Sequence, residues 1–138
     1  MKTARDIMTT PAETIAPTAT LAEAARALRD LNIGSLPVLD GERLVGVVTD
    51  RDIVVRGLAE ELDPSSATVA QVASADVATV DIDDDAETVA RAMGERQVRR
   101  VPVLDGGRLV GVIAQADVAR DLDARTTGDV VEDISKGR

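Results

Sequence analysis

The sequence predicts an α+β fold built from two copies of one β-α-β-β-α unit, and three observations point to it. Residues 36–52, LPVLDGERLVGVVTDRD, align without a gap to residues 101–117, VPVLDGGRLVGVIAQAD, with 11 of 17 positions identical. Each copy follows a segment with apolar residues at helical spacing, and each contains two short apolar runs separated by a turn signal. At 138 residues, the chain suits one compact globule or two half-size units that share a core.

The repeat extends over nearly the whole chain at a fixed offset of 65 residues. At this offset DIMT at 6–9 pairs with QVAS at 71–74. A turn-rich stretch, LDPSSAT at 62–68, separates the copies. We therefore assign residues 1–66 to the first repeat and residues 67–138 to the second. The C-terminal tail of the second repeat predicts a short helix with an apolar stripe of Val130, Val131 and Ile134.

The elements of the first copy follow from local patterns. An amphipathic helix is predicted between a capping box of Thr20 and Glu23 and the stop signal Gly34. Its apolar positions are Leu21, Ala24, Ala25, Leu28 and Leu31. The runs LPVL and RLVGVV flank Asp40-Gly41, a dipeptide typical of tight hairpins, and predict two antiparallel strands. Gly46 within the second strand indicates close approach of another backbone or of a ligand.

A second helix is predicted after Thr49. Val54, Leu58 and Leu62 lie on one row of it, and Asp63-Pro64 ends it. Gly57 within this helix costs about 1 kcal/mol relative to alanine.

Composition excludes several classes of function. The chain has no His and no Cys, so catalytic triads, imidazole catalysis and His- or Cys-ligated metals are excluded. The formal net charge of −9 repels nucleic acid and anionic lipid, so neither is an expected partner. The absence of Phe, Tyr and Trp means that any purine site must hold the base with aliphatic side chains and backbone.

No feature of the sequence indicates a membrane or export. No apolar stretch approaches the 18 or more residues of a membrane helix, and the N-terminal MKTARDIMTT lacks the apolar region of a signal peptide. We expect a cytoplasmic protein.

These segments resemble tandem CBS domains, the pair also called a Bateman module. The resemblance rests on the β-α-β-β-α order, on the two strand-strand-helix segments, and on the G-h-h-T-x-x-D pattern of Gly46, Thr49 and Asp52. It covers about residues 3–122. It implies a pseudo-two-fold pair of CBS repeats that binds AMP, ADP, ATP or S-adenosylmethionine in clefts between the repeats, without chemistry on the ligand.

The resemblance also assigns roles to single residues. It implies that Thr49 contacts phosphate and that Asp52 holds the ribose hydroxyls, with Asp117 as a partial second set. It further implies a homodimer that packs through helices, and a regulatory output that acts in trans on a protein target the sequence does not identify. We expect no enzymatic activity, because no constellation of residues supplies a catalytic base.

The residue types suit this task. The start of the helix after Thr49 presents unpaired N–H groups, and the Thr49 hydroxyl adds a donor there for a phosphate. The Asp52 carboxylate can accept from two adjacent ribose hydroxyls, and Arg51 adds charge at the rim. The alternative is that Thr49 and Asp52 form a capping box and bind no ligand, which makes the protein a ligand-free dimeric scaffold.

The second copy departs from the motif. Ala114 replaces Thr49, which costs about 1 kcal/mol of capping. Arg99 and Arg100 replace Gly34 and Ser35. These two arginines either provide the phosphate contact of a second site or form surface ion pairs.

Two further clusters of charged residues remain. In the acidic run Asp81, Asp83, Asp84 and Asp85, either Asp84 or Asp85 is expected to cap the next helix, and we predict no metal site there. Lys2, Arg5 and the DIMT segment are candidates to line a cleft.

Overall fold

The computed structural model describes residues 2–125 and divides into two compact units. We call Glu13–Val77 the first-repeat unit. The second-repeat unit comprises, in its described part, residues 2–12 and 78–125. The N-terminal segment therefore belongs with the second repeat, and the compact units differ from the sequence repeats 1–66 and 67–138. The helix predicted in the C-terminal tail lies outside the described residues.

The order of elements agrees with the repeat. In chain order the described elements are α1 (Ala4–Ile7), α2 (Leu21–Leu31), β1 (Ser35–Asp40), β2 (Arg43–Thr49), α3 (Asp50–Asp52, continued by a π-helix at Ile53–Leu58), α4 (Val69–Val72), β3 (Val80–Asp81), α5 (Ala86–Arg96), β4 (Arg100–Asp105), β5 (Arg108–Ala114) and α6 (Gln115–Arg125).

Helix α2 begins at the predicted capping box. The Thr20 hydroxyl accepts from the Glu23 N–H at 3.1 Å, and the Glu23 carboxylate accepts from the Thr20 N–H at 3.0 Å. The helix ends at Asn32, which has a φ of +55° and donates to the carbonyls of the last turn. Because asparagine tolerates this left-handed conformation, the helix stops two residues before the predicted Gly34.

The predicted hairpin of the first copy is present. Strands β1 and β2 pair antiparallel, with Leu36 opposite Val48, and Gly41 takes a φ of +66° in the turn. The short strand predicted ahead of α2 is reduced to a single parallel bridge between Ile15 and Val38. Buried Leu36, Val38 and Val48 form a core with α2 and α4.

The helix after β2 differs from a regular α-helix. The N–H of Ala59 donates to the Val54 carbonyl at 2.8 Å, and the N–H of Leu62 donates to the Gly57 carbonyl at 3.1 Å. Both bonds span five residues, the spacing of a π-helix. Gly57 is buried, and a Cβ added to it would lie 2.8 Å from the Leu21 Cδ1. The glycine thus lets this helix pack closely on α2.

The second-repeat unit repeats the hairpin. Strands β4 and β5 pair antiparallel, and β3 runs parallel to β4. Asp85 caps α5, because its carboxylate accepts from the Thr88 N–H at 2.8 Å, which confirms one of the two predicted caps. Asp81 and Asp84 accept from backbone N–H groups within the acidic run.

The core of the second-repeat unit includes α1, α5 and α6 around the strands. Its fully buried members include Ala4, Ala86, Val101, Ile113 and Leu122. The N-terminal segment is held there by the Ala4 N–H, which donates to the Asp84 carbonyl at 2.7 Å. Among residues 2–125, no helix is both long and apolar enough to cross a membrane.

Candidate functional site

The first motif folds as a complete capping box. The Thr49 hydroxyl accepts from the Asp52 N–H at 3.0 Å, and one carboxylate oxygen of Asp52 accepts from the Thr49 N–H at 3.0 Å. The Asp50 N–H donates to the Gly34 carbonyl at 3.0 Å, which ties the helix start to the entry of β1. Thr49 and Asp52 are half-buried. The predicted capping box of Thr49 and Asp52 is therefore present.

The Thr49 hydroxyl and the Asp52 carboxylate can form further hydrogen bonds besides those of the cap. The Thr49 hydroxyl accepts in the cap and retains its own proton to donate. The second carboxylate oxygen of Asp52 carries further lone pairs, and within residues 2–125 no side chain forms an ion pair with it. Both residues can thus cap the helix and contact a ligand at the same time.

The other two residues predicted around the first motif lie in different settings. Arg51 is exposed at the helix start. Gly46 is buried, and a Cβ added to it would lie 2.7 Å from the Ser74 carbonyl oxygen. Val47 and Ser74 exchange backbone hydrogen bonds of 2.9 Å in both directions. Of the two alternatives at Gly46, the structure shows the close approach of a backbone.

The second motif keeps the fold of the first with a different set of partners. The Ala114 N–H donates to the Asp117 Oδ2 at 3.2 Å, as the Thr49 N–H does to Asp52. The Asp117 Oδ1 accepts from the Arg120 Nη2 at 2.6 Å. Asp117 therefore has both oxygens engaged, one by backbone and one by a guanidinium.

Arg99 and Arg100 lie beside the second motif. The Arg99 carbonyl accepts from the Gln115 N–H at 2.7 Å, the counterpart of the bond at Gly34. Arg100 begins β4 and is paired with Ala114 in the strand register. Both residues are exposed. Their backbones thus adjoin the start of α6, and a phosphate contact by their side chains stays a prediction.

A cleft of about 330 Å³ opens within the second-repeat unit, next to Asp117. This volume falls in the range of small-molecule sites. Its lining residues are Lys2, Ile7, Asp117, Arg120 and Asp121. Lys2, Arg5 and the DIMT segment were expected to line a cleft. Lys2 and Ile7 of that segment line this one, whereas Arg5 does not.

Sequence reasoning missed Arg120 and Asp121. The spacing of Asp117 and Arg120, three residues apart in a helix, was the available signal for their ion pair. Asp121 is buried, with its side chain 4% exposed, and its Oδ1 lies 3.7 Å from the Lys2 Nζ. The Lys2 carbonyl also accepts from the Ala86 N–H at 3.3 Å, which holds Lys2 at the cleft.

The corresponding contact in the first-repeat unit is of another kind. Arg56 stands at the position of Asp121, and its Nη1 donates to the Val72 carbonyl at 3.1 Å. In each unit, then, this helix position binds the short segment that packs beside it. The charge is positive in the first-repeat unit and negative in the second.

The same repeated geometry identifies the family. The sequence matches the CBS domain family over residues 4–58 and again over residues 69–124. The chain belongs to the CBS-domain family. The two CBS matches correspond to the two sequence repeats, so the chain is a CBS pair.

Comparison with known proteins supports this assignment. Hypoxic response protein 1 of Mycobacterium tuberculosis is 45% identical over 123 residues, which cover 88% of this chain and 86% of that protein. The crystal structure of Hypoxic Response Protein I, described with two coordinated zinc ions, superimposes with a TM-score of 0.80 and covers 88% of this chain and all of that one.

Two further CBS structures contain adenosyl ligands. CBSX2 in complex with AMP is 26% identical, with a TM-score of 0.77 over 90% of this chain and 98% of that one. The CBS domain pair of protein MJ0100, in complex with 5′-methylthioadenosine and S-adenosyl-L-methionine, is 29% identical, with a TM-score of 0.76 over 91% and 99% of the two chains. CBS pairs are regulatory modules, and these neighbours bind adenosyl molecules.

The zinc ions belong to the neighbouring protein. This chain has no His and no Cys, and its described residues, 2–125, bring together no group of three Asp or Glu side chains that could hold a metal ion.

Proposed function

We propose that this CBS pair is a non-catalytic regulatory module that binds an adenosyl ligand, one of AMP, ADP, ATP or S-adenosylmethionine, at the motif of Thr49 and Asp52. The observation that carries the proposal is the Asp52 carboxylate. One of its oxygens accepts from the Thr49 N–H at 3.0 Å, and this bond fixes the carboxylate. The other oxygen is still able to accept hydrogen bonds from a ligand. A carboxylate held in this way is pre-organised to accept from the two hydroxyls of a ribose.

Further groups at the first motif suit the rest of the ligand. The Thr49 hydroxyl retains a donor for phosphate, and exposed Arg51 adds positive charge beside it. The structures of CBSX2 with AMP and of the MJ0100 pair with S-adenosyl-L-methionine support the ligand class. The chain lacks aromatic rings, so aliphatic side chains have to contact the purine.

The absence of Phe, Tyr and Trp makes the first test direct. Purified protein absorbs little at 260 nm, so an adenine band that co-elutes with it on gel filtration reports bound ligand. Calorimetric titration with AMP, ATP and S-adenosylmethionine then gives the affinity of each. Absence of both the band and any heat would contradict the proposal.

A matched pair of variants assigns the site. Asp52→Asn keeps an oxygen for the Thr49 N–H and removes the charge, and is expected to weaken binding roughly 10- to 100-fold. Glu23→Gln makes the same change in the capping box of α2, away from the motif, and is expected to leave affinity unchanged. Equal effects of the two variants would show that Asp52 acts through helix stability alone.

The second candidate function is a ligand-free dimeric scaffold, and the complete capping box of Thr49 and Asp52 favours it. The helix after β2 also exposes Val54, Val55 and Leu58, with Leu58 67% exposed. We propose that this apolar face packs against a second copy of the chain in either case. Leu58→Asp is expected to halve the mass measured by sedimentation equilibrium, and an unchanged mass would contradict a dimer through this face.

A further inference from the structure

The two motif aspartates differ in what already holds them. Asp52 is bound by backbone, whereas Asp117 is bound by backbone at Oδ2 and by the Arg120 guanidinium at Oδ1, at 2.6 Å. The position of Arg120 is taken in the first-repeat unit by Val55, which has no charge. A ligand that uses Asp117 therefore meets an arginine that has no counterpart at Asp52.

The surroundings of this ion pair leave Arg120 free to change partner. Its side chain is 75% exposed, while that of Asp117 is 20% exposed. Both line the same cleft. A long side chain anchored on α6 and exposed to solvent can swing from the carboxylate to an anionic group that enters the cleft, while the carboxylate stays in place.

Ligand charge then decides whether the cleft can be filled. An uncharged nucleoside can bind Asp117 in two ways. It either shares the carboxylate with Arg120, or it displaces the Arg120 guanidinium and leaves that group without an acceptor. A phosphate-bearing ligand supplies that acceptor, because a guanidinium binds phosphate as well as it binds carboxylate. The ribose hydroxyls are then free to donate to Asp117.

We infer that Arg120 is a specificity-determining residue that restricts the cleft beside Asp117 to phosphate-bearing adenosyl ligands. The first motif, of Thr49 and Asp52, has no such restriction. The inference rests on the proposed function, because it concerns which adenosyl ligands the module takes. Arg120 is better placed for this role than Lys2, whose ammonium faces the buried Asp121 at 3.7 Å. Neither Arg99 nor Arg100 lines the cleft.

The affinities of AMP and adenosine for an Asp52→Asn variant report on the cleft beside Asp117, because the first motif is weakened in that background. In this background AMP is expected to bind roughly 10-fold or more tightly than adenosine. Adding Arg120→Gln, which is neutral and compatible with a helix, is expected to bring the two affinities within a few-fold of each other. Adding Arg120→Lys is expected to retain most of the preference, because it keeps the charge.

Arg91→Gln is the matched control, since it removes one exposed arginine of α5 in the same unit outside the cleft. It is expected to leave the ratio of the AMP and adenosine affinities unchanged. If Arg120→Gln also leaves this ratio unchanged, or if AMP and adenosine bind equally in the background, the inference is overturned while the proposed function stands.

A readout without any adenosine separates the two failures. The side-chain NMR signals of Arg120 are expected to shift when inorganic pyrophosphate is added to the wild-type protein, as the guanidinium leaves Asp117. If pyrophosphate moves these signals but no adenosyl ligand binds, the proposed function fails and the role of Arg120 toward anions is supported. If pyrophosphate leaves them in place, the inference is overturned.

Discussion

The helices that follow the two hairpins begin alike and then differ. In both helices the first N–H donates to a carbonyl that lies just before the hairpin, that of Gly34 or Arg99. In both, the aspartate of the motif, Asp52 or Asp117, also accepts from the backbone N–H three residues before it. Beyond this start, the first helix exposes Val54, Val55 and Leu58, whereas the second carries Arg120. Duplication preserved the backbone bonds that start each helix, and the side chains beyond that start diverged.

Two core positions also differ between the units, and at these positions a large and a small side chain are interchanged. In the first-repeat unit Leu21 packs on Gly57, and in the second-repeat unit the same two positions hold Ala86 and Leu122, both fully buried. The large and the small residue have exchanged helices. Each unit thus holds one leucine and one small residue at these two positions, and either helix can supply the leucine.

The largest expected effect tests this exchange. Leu21→Ala leaves a cavity and is expected to cost about 2–5 kcal/mol of unfolding free energy, and Gly57→Leu overpacks the site at a cost of about 1–3 kcal/mol. The double variant reproduces the arrangement of Ala86 and Leu122 and is expected to be more stable than Leu21→Ala alone. Urea unfolding followed by far-UV circular dichroism measures all three. A double variant whose loss equals the sum of the single losses would contradict the exchange.

The second prediction compares the two aspartates. Asp52→Asn is expected to weaken AMP binding roughly 10- to 100-fold, and Asp117→Asn to weaken it less, because Asp117 is shared with Arg120 and lacks a hydroxyl beside it at Ala114. Calorimetric titration of both variants against wild type checks this order. Equal losses would mean that the two motifs are equivalent despite their different partners.

The third prediction exchanges the caps. Ala114→Thr places a hydroxyl where Thr49 has one and is expected to stabilise the protein by about 1 kcal/mol, since that oxygen can accept from the Asp117 N–H. Thr49→Ala is expected to destabilise it by a similar amount. Both are measured by urea unfolding. Ala114→Ser is a useful companion, because a stabilisation shared by both hydroxyls and absent from Ala114→Val identifies the cap as its cause.

The smallest expected difference is in sensitivity to acid. The Thr20 N–H lowers the pKa of Glu23 below its ordinary 4.5, and the Thr3 N–H lowers the pKa of Asp6 below its ordinary 3.8. The stabilisation by each box is present above these ordinary values and is lost as pH falls through the lowered ones. The first-repeat unit therefore starts to lose its box at the higher pH.

Melting temperatures from pH 6 to pH 3 test this order. Glu23→Gln is expected to flatten the curve just below pH 4.5, and Asp6→Asn to flatten it only at lower pH. Coincident curves for the two variants would contradict the assignment.

Local patterns in the sequence predicted most of the fold. The capping boxes at Thr20 and Thr49, the hairpins around Gly41 and Gly106, and the cap at Asp85 each depend on residues within a few positions of one another. Such features are encoded locally, so a single sequence shows them.

What the sequence did not predict depends on residues distant in the chain. The close approach of Gly57 to Leu21 joins two helices that the hairpin separates, and the association of residues 2–12 with the second repeat joins segments some 70 residues apart. The cleft beside Asp117 combines Lys2 and Ile7 with α6 for the same reason. Thr49, Asp52 and Asp117 could be proposed from the motif, and the spacing of Asp117 and Arg120 was a local signal for their ion pair, whereas the place of that pair beside Lys2 in the cleft required the structure.

The division of the chain into Glu13–Val77 and the two flanking segments has a consequence for its synthesis. The first-repeat unit is continuous, so all of its own residues have been synthesised once residue 77 has left the ribosome. The segment 2–12 has to wait for the chain beyond residue 78, and at roughly 5–20 residues per second this takes several seconds. Ile7 and Met8 have no completed core to join in that interval. Within residues 2–125, the cleft that contains Lys2 and Arg120 is consequently among the last parts to be completed.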